Sequence, residues 1–152
     1  MRVICTLLFL VMTGAGSSRA ESGGRVSYVG GTLDALNVGR RGSLLTVNEQ
    51  VLTVKLGHWE TEVPYDRINL VEYGQNASRR IVMAVVINPL CLLAKSRRHF
   101  LTIGFRDSDN RQQAMVFRID KNKVRSVLVS LEARTGLRVL YQDDEARKAG
   151  KG

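Results

Sequence analysis

Alternation is the property that most restricts this chain. Short apolar–polar runs with a period of two recur through the middle of the sequence, separated by turn residues. Residues two apart share one face of a strand, so such runs specify strands buried on one side. Residues 26–36 read as extended, with a bulge or bend at Gly30-Gly31. Leu44-Leu45-Thr46-Val47 and residues 51–56 are joined by Asn48-Glu49-Gln50, which signals a hairpin. In the second run Leu52, Val54 and Leu56 share a face, and Thr53 and Lys55 share the other. Gly57-His58 is a turn, residues 59–63 form a strand ended by Pro64, and residues 68–73 form another, closed by Gly74.

A second hairpin is the clearest. Leu101, Ile103 and Phe105 alternate, Asp107-Ser108-Asp109-Asn110 turns the chain, and Met115, Phe117 and Ile119 return inward. The period then changes. Val124, Val127, Leu128 and Leu131 fall at i, i+3, i+4 and i+7, the stripe of an amphipathic helix covering an end of the strands. Asp120 or Asn122 can cap its start, and Gly136 suits the left-handed residue past its end. Residues 138–141 can add a short strand, and the polar residues 142–152 read as a disordered tail.

One stretch departs from alternation. Residues 81–94 are nearly all apolar, with Arg79 and Arg80 before them and Lys95, Arg97 and Arg98 after. Fourteen residues interrupted by Asn88-Pro89 are too few for a straight membrane span, which takes about 20. Two readings survive: buried core with a short helical segment within 81–95, or an outward segment held on anionic headgroups by its basic flanks. The core reading is preferred, because short apolar runs in small domains are usually interior.

Residues 1–20 have the layout of a secretory signal peptide: Arg2, an apolar run to Met12, then small residues with Ser18 and Ala20 at the cleavage positions. Cleavage there predicts an exported chain, secreted or periplasmic, whose single cysteine, Cys91, acts as a small buried hydrophobe. The domain is expected over residues 25–141. Charge is uneven: residues 79–125 hold 11 basic and three acidic side chains. Such a field favours an anionic partner, although basic residues can also simply solvate strand faces.

Signals for chemistry are sparse. His58 and His99 stand far apart in sequence and lack ligand spacing with Cys91, so no metal and no cofactor is expected. No nucleophile elbow, phosphate loop or dinucleotide fingerprint occurs after residue 20. Asp107 and Asp109 lack the further ligands of a calcium loop, and Glu60 and Glu62 share a strand face without a cleft for paired-carboxylate hydrolysis. All four read as turn or surface residues. Arg40-Arg41, between glycines, is an anion-site candidate, with a solvated turn as the plainer alternative. Asn76-Ala77-Ser78 matches a glycosylation acceptor.

The fold class expected is mainly β with one C-terminal helix: a small barrel or sandwich of about seven strands. The order of elements, a final hairpin and then one helix ending in Gly, resembles the pleckstrin-homology-like barrel and its GRAM-type and bacterial relatives. The likeness rests on Gly31-Thr32-Leu33, Val63-Pro64-Tyr65-Asp66-Arg67-Ile68, Val71-Glu72-Tyr73-Gly74, His99-Phe100-Leu101-Thr102-Ile103, Ala114-Met115-Val116-Phe117 and Leu131-Glu132-Ala133-Arg134-Thr135-Gly136. It implies a fold more than an activity. In that superfamily the loop between the first two strands often carries phosphate-binding basic residues, which implies a contact role for Arg40 and Arg41. The function expected is a non-enzymatic binding or scaffold module. Its contact candidates are Arg40, Arg41, Arg79, Arg80, Lys95, Arg97 and Arg98, and its partner an anionic membrane surface or an envelope protein. A small exported hydrolase is the alternative. Nucleic acid is disfavoured, for want of an aromatic–basic strand motif.

Overall fold

Each turn residue ends a strand where the backbone must reverse. In the computed structural model, residues 23–33, 36–75, 99–142 and 144–151 are described. Strand β1 is Gly23–Gly31, β2 Arg41–Leu45, β3 Val51–Leu56 and β4 Trp59–Pro64. A 3-10 turn at Tyr65–Arg67 leads into β5, Ile68–Gly74; then come β6, His99–Arg106, and β7, Gln112–Ile119. Helix α1 spans Val124–Thr135, β8 is Leu140–Tyr141, and helix α2 spans Asp144–Lys151. The eight strands form one sheet in the order β4-β3-β2-β1-β7-β6-β5-β8. Neighbours are antiparallel except β5 and β8, which run parallel. The mainly β class therefore holds, but the sheet is open, with β4 and β8 as its edges.

One apolar core joins both halves of the sheet to the helices. Leu52, Val54 and Leu56 of β3, Leu101 and Ile103 of β6, and Met115 and Phe117 of β7 are all fully buried in it. The α1 stripe, Val124, Val127, Leu128 and Leu131, packs on the same cluster. Bulge and turns sit near where the residues put them. The register of β1 against β7 shifts between Tyr28 and Gly30. Asn48 Oδ1 accepts from the backbone N–H of Gln50 and of Val51, closing the β2–β3 loop. Gly136 lies at φ 70° and donates its N–H to Glu132 O, ending α1 where a side chain would be strained.

Several expectations need correction. Strand β1 starts at Gly23 and stops at Gly31, short of residue 36, because the chain leaves the sheet once Thr32 has bonded Ala114 across β7. Neither Asp120 nor Asn122 caps α1 through its side chain; a 3-10 turn, Lys121–Lys123, leads into the helix instead. The tail is not all disordered. Ala146 is buried in the core, and Gly150, one turn on, lies so close to Tyr141 and Leu128 that a Cβ there would collide. Those two small residues at i and i+4 seat a short polar helix that composition alone conceals. Strand β6 is also buried on both faces: Phe100 and Thr102 point away from the core cluster, as does Val116 of β7, yet all three are buried. The 1–20 segment, the helical segment expected within 81–95, Arg79, Arg80, Lys95, Arg97, Arg98, Cys91 and Asn76-Ala77-Ser78 all lie outside the described residues.

Candidate anion-binding groove

Strand parity builds the site. Val26 and Tyr28 of β1 face the core, so Arg25 and Ser27 face outward. Ser27 stands directly opposite Arg41 of β2 on one side and Arg118 of β7 on the other. Residues opposite each other in an antiparallel pair have Cβ atoms about 4.5–5.5 Å apart. Arg41, Ser27 and Arg118 therefore make one cross-strand row, Ser27 with an arginine on either side. The neighbouring row runs Arg25, Ser43, Lys55 and Glu60 across β1 to β4.

These rows floor a groove of about 660 Å³ lined by Arg25, Ser27, Arg41, His99, Arg118 and Lys121, with Asp120 as the single acidic residue among the described ones. A second hollow of about 830 Å³ continues from it, sharing Arg25, Gly42 and Asp120 and adding Ser43, Lys55 and Lys123. Gly42, between Arg41 and Ser43, is required by the strand pairing: a Cβ there would fall 1.7 Å from the Lys55 carbonyl oxygen of β3. Charge in the groove is not neutralised internally. Among the described residues the ion pairs are Lys55–Glu60 at 3.0 Å, Arg111–Asp109 at 3.5 Å and Arg147–Asp144, all away from Arg25, Arg41, Arg118 and Lys121. Four cations on one open face raise the local concentration of anions.

His99, the first residue of β6, is among the lining residues. Its Nδ1 shares a hydrogen bond with the Tyr73 hydroxyl, and the two rings lie parallel, 6.0 Å apart. Partial burial pushes the imidazole pKa down, and the Lys121 ammonium lowers it further, so His99 favours its neutral form.

No family model matches the chain, and no curated protein is significantly similar to it.

Of the candidates read from sequence, Arg40 is exposed just before β2, and its carbonyl accepts from Tyr28 N–H. Arg41 is not a loop residue but the first residue of β2, and it lines the groove. The sequence does not single out Arg25 or Ser27, and Arg118 and Lys121 count there only toward regional charge. Parity shows that Arg25, Ser27 and Arg118 face outward, but only the β1–β7 pairing brings them together. The remaining polar candidates have structural roles. Asp107 Oδ1 accepts from the N–H of Asp109 and of Arg111, and its Oδ2 accepts from Gln113. Those bonds, that from the Gln113 side chain foremost, hold its carboxyl below the usual range. Glu60 pairs with Lys55, and Glu62 is exposed opposite Thr53.

Proposed function

We propose that this chain is an exported, non-enzymatic binding module that docks on an anionic membrane surface through the groove around Ser27. The observation that carries the reading is the groove's charge: Arg25, Arg41, Arg118 and Lys121 against Asp120, on an outward sheet face with none of those cations in an ion pair among the described residues. Basic residues near an anionic bilayer contribute about 1 kcal/mol each, so four act as one weak, salt-sensitive anchor. The pleckstrin-homology-like reading fits the same picture, and the element order, with α1 following the β6–β7 hairpin, supports it.

Cosedimentation tests the docking. Protein beginning at Glu21 should pellet with vesicles of phosphatidylglycerol and phosphatidylcholine, and should not pellet with phosphatidylcholine alone. Binding should fall as salt rises, since the screening length shrinks from about 10 Å at 0.1 M to about 3 Å at 1 M. Equal binding to neutral vesicles, or none to either, refutes it. Export is tested separately by the N-terminus of the secreted or periplasmic protein. Glu21 at that position supports export, and retention of residues 1–20 on protein left in the cytoplasm contradicts it.

A further inference from the structure

We propose that residues 140–151 act as a strap that keeps the β5 edge from pairing with a second copy of this chain. The proposal is independent of the groove and of what the groove binds. An edge strand offers unpaired N–H and C=O groups to any other strand, so each end of an open sheet needs a guard. The two ends here are β4 and, beyond β5, the short β8. They are guarded differently. Glu60 and Glu62 are the exposed, outward residues of β4. Two antiparallel copies of β4 with their cores on one side set carboxylate against carboxylate in any register centred on residues 60 to 62. Like charges directly opposite each other are destabilising. Strand β5 has no such pattern. Val71 and Tyr73 face the core, so Leu70 and Glu72 face outward. Two copies of β5 centred on Val71 place each Leu70 opposite a Glu72, with no like charges opposed.

What covers β5 instead is the C-terminal strap. Strand β8 pairs with Glu72 and Tyr73, and Gln142 donates its N–H to the Tyr73 carbonyl. The Gln142 side chain lies over Gly74, so close that a Cβ there would collide with its amide. The other half of β5 is spoiled as a template by the register shift between Ile68 and Leu70, since a bulge twists an edge away from a partner. The strap therefore covers the part of the edge that the bulge leaves regular. Its hold is light. Tyr141 meets Tyr73 edge-on at 6.2 Å, and among the described side chains of α2 only Ala146 and Gly150 are buried. The ion pair of α2, Arg147–Asp144, lies within the helix and ties it to nothing else. Upstream, Val139 is buried and donates its N–H to Glu132 Oε1 at 2.9 Å, which anchors the chain before β8 begins. Lifting the chain beyond Val139 gives up Ala146 and the half-buried Tyr141, but none of the large side chains of the core.

Sedimentation velocity of protein beginning at Glu21 tests the guard. The parent should be a monomer across the accessible concentration range. Gln142→Pro removes the N–H that Tyr73 accepts, and Gly150→Val drives a side chain into Tyr141 and Leu128, so the two together should release the strap. Hydrogen exchange reads the release as lost amide protection over residues 140–151, and a cooperative circular dichroism melt shows that the sheet is still folded. Where protection persists, adding Ala146→Asp, a charge the core cannot solvate, completes the release. The released protein should sediment at twice the parent's mass as its concentration rises. Two additions should each return it to a monomer: a synthetic peptide of residues 138–152, which refills the edge, and Leu70→Glu, which sets two carboxylates opposite each other in the pairing centred on Val71. A released, folded protein that stays monomeric overturns the proposal. So does a parent that already dimerises with its strap docked, or a dimer that neither the peptide nor Leu70→Glu dissociates, since its contact then lies away from β5.

Discussion

Removing the side chain of Leu131 tests whether α1 closes the core. Leu131 is 0% exposed in the single apolar cluster, whereas Val129 on the same helix is 55% exposed. Truncation to alanine removes about three methylene equivalents at about 0.8 kcal/mol each and leaves a cavity, for a total of about 3–4 kcal/mol. Unfolding entropy near 2.1 cal/mol/K per residue gives about 0.25 kcal/mol/K for roughly 120 folded residues, so Tm should drop by about 12 °C or more. Val129→Ala should change Tm by less than about 2 °C, because alanine's better helix propensity offsets the small loss of area. Thermal and urea unfolding followed by circular dichroism read both variants. Equal effects of the two substitutions, or a Leu131→Ala protein as stable as the parent, would contradict a helix that seals the sheet.

Three further outcomes follow from the same structure. Asp107, with its carboxyl pKa held down by the turn, should contribute stability above its unfolded value of about 3.9 and lose it as pH falls through the lower folded value. Urea midpoints between about pH 5 and pH 2 should therefore fall less steeply in Asp107→Asn than in the parent; parallel curves would refute this. His99, with its folded pKa below about 6.5, should likewise stabilise the fold above that value and destabilise it as pH falls through the folded pKa. NMR should find it titrating below 6.5, and a value at or above that would refute the effect of burial and Lys121. Gly42→Ala should destabilise the β2–β3 pairing by at least about 1 kcal/mol, through collision with the Lys55 carbonyl. A urea midpoint equal to the parent's would show that the strands yield freely.

What could be read from the sequence was local. Period-two runs placed β3 to β7 within a residue or so, and the i, i+3, i+4, i+7 stripe placed α1, because each element's burial pattern is written in its own residues. Helix α2 is not legible in the sequence because, among its described side chains, only Ala146 and Gly150 are buried, too little apolar surface to register as a stripe. The groove was illegible for a different reason. Arg25, Arg41 and Arg118 are distant in sequence, and only the meeting of β1 with both β2 and β7 makes them neighbours. Long-range pairing of that kind is set by packing of the whole sheet, not by any local motif. Of the groove cations, only Arg41 is marked by the sequence as an anion-site candidate, through its place beside Gly42.

The claim that the outward face around Ser27 is what meets an anionic surface is open to one direct measurement. Backbone amide NMR of isotope-labelled protein, with and without nanodiscs rich in phosphatidylglycerol, reports which residues respond. The account predicts changes concentrated at Arg25, Ser27, Arg41, Arg118 and Lys121, diminishing with added salt. Changes centred instead on the 107–111 turn or on α2, with the Ser27 row silent, would contradict it.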